Sequence, residues 1–476
     1  MPGIFVKIPW TGRSFLWIAA AVEIALALAA AFVVDRDETF PLYLALYLAM
    51  SLPWLAGSYF ALRETRSRGT DIALVLGVAV ILRAFFLVTE PVLSDDAFRY
   101  VWDGRVQHAG INPYLYAPED PRLAPLRDEL PEIYAGINNK DIPTLYPPLM
   151  QFLFYAATAV SSSLLWMKAL FTLFDLALIL ALARLLEALD LLPLRALIYG
   201  WSPLPVVEIA GSGHNDVAAV FLLVASLWAF ERGRERASVG LATASGLAKL
   251  AGFALLPFFA RFVRLRTFWV VPLATAIAVL PYASAGGLAF RGISEYALRW
   301  RGNDSLFHVL FLITGTLSSA KLLVAAILGA LTLVLFWRKT PPLRASFWLL
   351  GAILLLAPTV HPWYLLWIAP LLAVFPHPAW LFLEASVALS YHAAYLATAG
   401  EPWQEVLGIK LLEYGPFFIL LGLNLLKWAL HGSRRAPQDP RGGRARGDDR
   451  GRRRGEAPDS SIQGIRGVRG PGLRQG

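Results

Sequence analysis

Two adjacent carboxylates, Asp95 and Asp96, open a polar run, Ser94-Asp95-Asp96-Ala97-Phe98-Arg99-Tyr100-Val101-Trp102-Asp103-Gly104-Arg105, between two apolar segments. Neighbouring carboxylates repel each other, which raises one pKa and makes one of the pair a better base near neutral pH. Through their oxygens they can also recruit a divalent cation, Mg or Mn. If 95–107 is helical, Asp95, Arg99 and Trp102 share one face, while Asp96, Tyr100, Asp103 and Gln107 share another. A plainer reading competes with chemistry: the two acids cap that helix, and Asp95 pairs with Arg99.

What must position these residues is a chain of membrane spans. Of 476 residues, 57% are hydrophobic, only 16% are charged, and 16 are Trp; mean hydropathy is +0.54. The composition is that of a polytopic membrane protein, all-α. The clearest runs of about 20 apolar residues are 14–34, 40–62, 71–89, 164–186, 267–285, 319–338 and 407–429. Further candidates at 194–211, 216–231, 237–250, 251–264, 344–360, 362–376 and 378–396 bring the expected total to about fourteen. The first run is too long for a signal peptide despite Lys7 and Arg13 before it, and a second span follows closely, so an uncleaved span is expected. Cysteine is absent, which excludes disulfides, thiol nucleophiles and cysteine metal sites.

Arginines in short connections resist translocation and set the orientation. Arg63 to Arg68, Arg232 to Arg236, Arg261 to Arg266, Arg338 to Arg344 and the C-terminal tail read as cytoplasmic, whereas the acidic connection 35–39 reads as outside. The net charge of +9 is mostly the tail's: residues 431–476 hold twelve Arg against five acids, which leaves the rest near +2. That tail reads as a disordered cytoplasmic extension attracted to anionic membrane lipids, with no nucleic-acid partner. Three spans then place residues 90–163 outside as one large loop. Within it, the apolar run 149–160 is too short to cross and is expected as a helix lying on the membrane face, started by Tyr146-Pro147-Pro148. The same counting brings Asp95 to Arg105, Tyr146, Glu208 to Asp216, Arg299 to Asp304, and His361 to Tyr364 to one surface.

In order, Asp-Asp-x3-Tyr-x-Trp-Asp-Gly-Arg (95–105), Gly-Ile-Asn-Pro-Tyr (110–114), Pro-Thr-Leu-Tyr-Pro-Pro-Leu (143–149), Trp-Ser-Pro (201–203) with Glu208, Gly-His-Asn-Asp (213–216) and Pro-Thr-Val-His-Pro-Trp-Tyr (358–364) form a set. Over about residues 70–375 this set resembles polyprenyl-phosphate-sugar-dependent glycosyltransferases of the GT-C superfamily, particularly the bacterial mannosyltransferase-like branch. The resemblance implies a multispan helical core at 1–430 with an extracytoplasmic catalytic loop at 90–163 that carries surface helices. It further implies a polyprenyl-phosphate sugar donor and a lipid-linked or envelope glycan acceptor, with the protein in a bacterial inner membrane and its site outward. No sizeable soluble acceptor-binding domain follows the core, only the tail 431–476.

For inverting transfer a base must reach the acceptor hydroxyl while the leaving group departs from the opposite face of the sugar. Asp95 or Asp96 suits that role, with Asp95 favoured only by the family pattern. A lipid-phosphate leaving group needs cations, for which Arg105, Lys249, Arg299 and Arg301 are the candidates. Lys249 interrupts an apolar stretch and is costly there without a partner or a function, although snorkelling to the interface also explains it. For Arg299 and Arg301 an interfacial anchor helix is an equal reading.

Sugar or acceptor contacts are expected from Tyr100, Trp102, Asp103, Asn112, Tyr114, Tyr146, Glu208, His214, Asn215, Asp216, Asn303, His361, Trp363 and Tyr364. Helix capping by Asn215 or Asp216, a two-ligand metal fragment, and an aromatic belt for Trp363 and Tyr364 are the competing explanations. Asp175 and Arg83, each inside a span, read as a helix-packing ion pair or as cavity-facing groups. A secondary transporter or lipid-linked oligosaccharide flippase would place its charges at a midplane site and often repeats its halves, neither of which the sequence displays. A structural scaffold gives no reason for the acids and His214 to converge.

Overall fold

The computed structural model describes residues 13–33, 39–398, 400–401 and 404–431; Lys7, the acidic connection 35–38 and the tail 432–476 lie outside them. Among the described residues the regular structure is helical, with one isolated bridge, Gly302 to Thr359. Six helices among the described residues are long and apolar enough to cross a membrane: Ser14–Phe32, Phe40–Arg63, Leu164–Ala188, Leu265–Arg299, Leu317–Trp337 and Leu407–Lys427. Their outward faces carry large apolar side chains, among them Trp17, Leu173, Ile277, Leu322, Leu333 and Ile419. A face of that kind suits hydrocarbon, because a helix satisfies its own backbone polar groups. The chain is an all-α polytopic membrane protein.

Several expected spans are not single helices. The stretch 194–211 is broken into the short pieces Pro193–Ala196, Leu197–Gly200, Pro203–Pro205 and a π-helical turn, Val206–Gly211. Pro193, Pro203 and Pro205 each remove a backbone donor, so a continuous helix cannot form. Residues 196–220 are buried throughout, the setting in which irregular backbone is tolerated at membrane depth. Likewise 362–376 folds as two 3-10 stretches, Pro362–Trp367 and Ala369–Ala373, and 251–264 is a 3-10 run followed by a single helical turn. The span expected at 267–285 extends to Arg299 as a jointed helix bent at Gly286.

The large loop is built as expected, from short helices. Asp96–His108 lies against Pro148–Thr158. The latter has 11 residues, about 16 Å at the helical rise, half of what a crossing needs. The two helices meet at Gly104, where a Cβ would stand 2.5 Å from the Phe154 carbonyl oxygen and closer still to the Thr158 hydroxyl. Trp102, Val106, Leu123, Leu126 and Ile137 close a small core of the loop's own. Below it, Arg83 and Asp175 pair at 2.5 Å, and Tyr199 donates to the same carboxylate at 2.6 Å. This is the helix-packing version of the pair, since neither residue borders the cavity described next.

Candidate active site

A cavity of about 300 Å³ opens where the helix Asp96–His108 begins. Its wall includes Asp95, Asp96 and Tyr146 from the large loop, and Lys249. Tyr296, Trp300 and Asn303, with His361, Trp363 and Tyr364, complete the middle. Ser390, Tyr391 and His392, then Glu405 and Lys410, close the far end. Residues from five distant parts of the chain therefore share one space large enough for a small polar ligand. Glu208 and His214 to Asp216 stand directly behind this wall rather than in it.

Asp95 occupies the N-cap position but does not cap through its side chain, and Arg99 pairs with Asp103 at 2.9 Å. Asp96 accepts from the Tyr100 hydroxyl at 3.3 Å and lies 3.7 Å from His214 Nδ1. The other ring nitrogen, Nε2, lies 3.4 Å from Glu208. Those separations are ion-pair contacts, longer than a tight hydrogen bond. Glu208 in turn accepts from the Tyr391 hydroxyl, 2.9 Å from each of its oxygens. The His214 ring stacks on Trp363 at 3.8 Å, and Trp363 stacks on His361 at 4.3 Å. Local backbone sets this up: the π-helical turn carries Glu208 inward, and Gly213 at φ +80° reverses the chain ahead of His214.

Burial alone would raise the Asp96 carboxyl, but the His214 ring, then Lys249 and His361, outweigh it and hold it at about 2. Burial alone would lower His214, yet Asp96 and Glu208 push it up to about 9. For His361 burial prevails and takes it down to about 4. One imidazole is thus charged and its neighbour neutral at physiological pH, separated by an indole.

Lys249 ends the helix Glu235–Ala248 in an extended conformation, φ −147° and ψ 128°. Its Nζ meets Asp216 at 3.0 Å and lies 5.4 Å from the centre of the Tyr146 ring. Trp367 Nε1 donates to the second Asp216 oxygen at 3.1 Å, so a buried carboxylate holds the ammonium at the cavity edge. Asn215 takes the N-cap position of Asp216–Glu231 without capping it, and its buried amide has no hydrogen-bond partner. The hydroxyls of Tyr296 and Tyr364 share a hydrogen bond of 2.5 Å.

Other expected site residues stand apart from the cavity. Arg105 pairs with Glu129, Arg299 with Asp141 and Glu295, and Arg301 with Asp304. None of these three guanidinium groups borders the cavity, so Lys249 is the one expected phosphate ligand that reaches it. Trp102 fills the loop's small core, and Asp103 is tied to Arg99 and Gln151. Asn112 fastens the loop to Tyr282 and Ser284, while Tyr114 donates to the Tyr146 carbonyl at 2.7 Å. Tyr100 is buried behind Asp96, against Tyr146 and Phe154. Among the described residues no three His, Asp or Glu side chains converge to hold a metal ion, and Asp95 and Asp96 have no third ligand.

The sequence reading missed Tyr296, Tyr391, His392, Glu405 and Lys410 as wall residues. The signal for Tyr391 was the polar triplet Ser390-Tyr391-His392 inside an apolar run. For Lys410, which bridges Glu405 at 2.6 Å and Asp304 at 3.0 Å, proximity to the last span hid it as an interfacial charge.

Two family models match the chain. Residues 16–265 match the alpha-(1->6)-mannopyranosyltransferase N-terminal domain of the MptA_B family, and residues 304–403 match the MptB C-terminal domain. No curated protein and no solved structure matches it. The first model covers more than half of the chain and includes the carboxylate pair, Glu208, His214 and Lys249. The chain belongs to the MptA_B family of alpha-(1->6)-mannopyranosyltransferases and is a membrane glycosyltransferase.

Proposed function

We propose that the protein transfers mannose from a polyprenyl-phosphate donor to a membrane-associated glycan acceptor on the outer face of the cytoplasmic membrane, with inversion. The bond from the sugar's C1 to the phosphate oxygen breaks, the acceptor oxygen bonds to C1, and the acceptor proton passes to a carboxylate of the Asp95–Asp96 pair. The family's 1→6 linkage makes a primary hydroxyl the attacking group. One observation carries this reading: the carboxylate pair and the Lys249 ammonium border the same cavity. A base and a phosphate-neutralising cation are both available to a sugar held between them. His361, neutral in its buried site, and the Tyr296–Tyr364 pair supply hydrogen-bonding groups for hydroxyls. The outward orientation rests on the arginine-rich connections, and the lipid donor on the site's place in a membrane-embedded chain.

The test is transfer of radiolabelled mannose from polyprenyl phosphate in membranes containing the wild type, Asp95→Asn or Asp96→Asn. Loss of a general base lowers the rate on the order of 10²-fold or more. Label transferred undiminished by both variants overturns the carboxylate assignment, and transfer from a nucleotide-linked mannose without any polyprenyl phosphate overturns the donor.

A further inference from the structure

Arginine is concentrated at a second place in the fold, away from the active-site cavity. A cleft of about 720 Å³ is lined by Arg234 and Arg236 from one turn, Arg264 and Arg266 from another, and by Glu235, Thr267 and Trp269. Four cations against one acid leave its wall at a net +3. Glu235 ties the two turns together: its Oε2 accepts from the Thr267 hydroxyl at 3.2 Å and from the Arg264 backbone N–H at 3.4 Å. Arg234 and Arg236 also stand at the start of the helix Glu235–Ala248, where the helix dipole disfavours cations. Beside the arginines Phe262, Leu265 and Trp269 are exposed, and Leu265 opens the jointed helix that runs to Arg299. The cleft therefore lies at the end of a span, where hydrocarbon gives way to headgroups. Keeping arginine out of hydrocarbon requires a connection on the proper side, but it does not bring two turns distant in sequence to one cleft against their mutual repulsion.

We propose that this cleft is a binding site for the phosphate groups of an anionic membrane lipid, and that a headgroup with two phosphodiesters, as in cardiolipin, fills it. Guanidinium forks bind phosphate oxygens in pairs, and the four arginines supply two forks for each phosphate. Basic pockets at the ends of membrane helices recognise such headgroups. The exposed Trp269 ring suits the same depth, with the acyl chains lying along the apolar side chains next to it. The site is separate from the one for the sugar donor. Lys249 follows the other end of the helix Glu235–Ala248, whose 14 residues span about 21 Å at the helical rise. A phosphate held by Lys249 is therefore out of reach of these arginines.

The experiment measures retention of radiolabelled cardiolipin by the purified full-length protein in a neutral detergent at fixed ionic strength. Saturable binding is expected, tighter than that of phosphatidylglycerol, which carries one phosphate. Arg234→Gln with Arg264→Gln removes one arginine from each turn. That pair should weaken retention about tenfold or more, whereas Arg66→Gln with Arg68→Gln, an equal loss of charge on another connection, should change it by no more than about twofold. Retention by the wild type should also fall as sodium chloride is raised.

Equal weakening by the two double variants overturns the proposal, because attraction would then come from surface charge in general. Absent or non-saturable retention overturns it as well. Inorganic phosphate is the third arm: displacement of the lipid by an equal molar concentration of phosphate would make the cleft a site for a soluble anion and remove the lipid assignment. If Arg234→Gln with Arg264→Gln does not fold, Arg236→Gln with Arg266→Gln carries the test with the same requirement. The readout is lipid retention and not mannose transfer, so the outcome stands apart from that of the transfer reading.

Discussion

At the residue scale, charge at the site is organised in buried pairs, and pH reaches it through them. His214 faces Asp96 and Glu208 directly, His361 lies beyond the Trp363 ring, and Lys249 is held by Asp216. Because His214 is held above its ordinary value, its contribution to stability is complete below about pH 6.5 and is lost as pH rises through about 9. Asp96 is held below its ordinary value, so its contribution is present above about pH 4 and is lost as pH falls through about 2. The melting temperature of the wild type in detergent is therefore expected to fall between pH 6.5 and 9.5, and His214→Asn to flatten that fall. An equal fall in both would show that another group titrates. Lys249→Met leaves the Asp216 carboxylate buried without its cation, which costs about 1–3 kcal/mol. Donor KM should rise in that variant while acceptor KM stays unchanged. The types of these residues were legible in the chain: acids beside each other, a lysine inside an apolar run, a Gly-His-Asn-Asp turn. Their partners were not. Arg99 pairs with Asp103 one turn along the same helix face, a local i,i+4 contact.

Among the elements, close approach of the two loop helices sets where Asp95 and Asp96 stand. Gly104→Ala puts a methyl group against the Phe154 carbonyl and the Thr158 hydroxyl, backbone and side chain of the partner helix. Overpacking of this kind costs about 1–3 kcal/mol, and kcat should fall with it because the N-terminus of Asp96–His108 is displaced from the cavity. A Gly104→Ala protein that melts and turns over like the wild type would exclude this coupling. Long spans with uniform apolar composition were readable from hydropathy, and so was the short helix after Pro147-Pro148. The broken pieces across 194–211 and 362–376 were not. Apolar content measures whether a segment can be buried, but does not distinguish burial in lipid from burial in protein, where prolines and a π-turn are admissible.

For the molecule as a whole, one-sided convergence of polar residues makes a definite topological expectation. Alkaline phosphatase fused after Gly110 should be active and fused after Gly233 inactive, since the first lies in the large loop and the second among Arg232, Arg234 and Arg236. The reverse pattern would turn the site inward and remove the outer-face reading. By itself the sequence determined that the chain is helical and membrane-bound, which acids and which lysine are chemically expensive, and, through the order of its motifs, the family to which it belongs. Those properties are local, set by residue type and by spacing along the chain. Tertiary structure alone decided that Arg105, Arg299 and Arg301 spend their charges on nearby acids, that Tyr391 and Lys410 enter the wall, and that His214 stands between Asp96 and Glu208. Apart from the one-turn pairs Arg301–Asp304 and Arg299–Glu295, these are contacts between residues far apart in sequence, and which carboxylate a cation meets there depends on how helices pack.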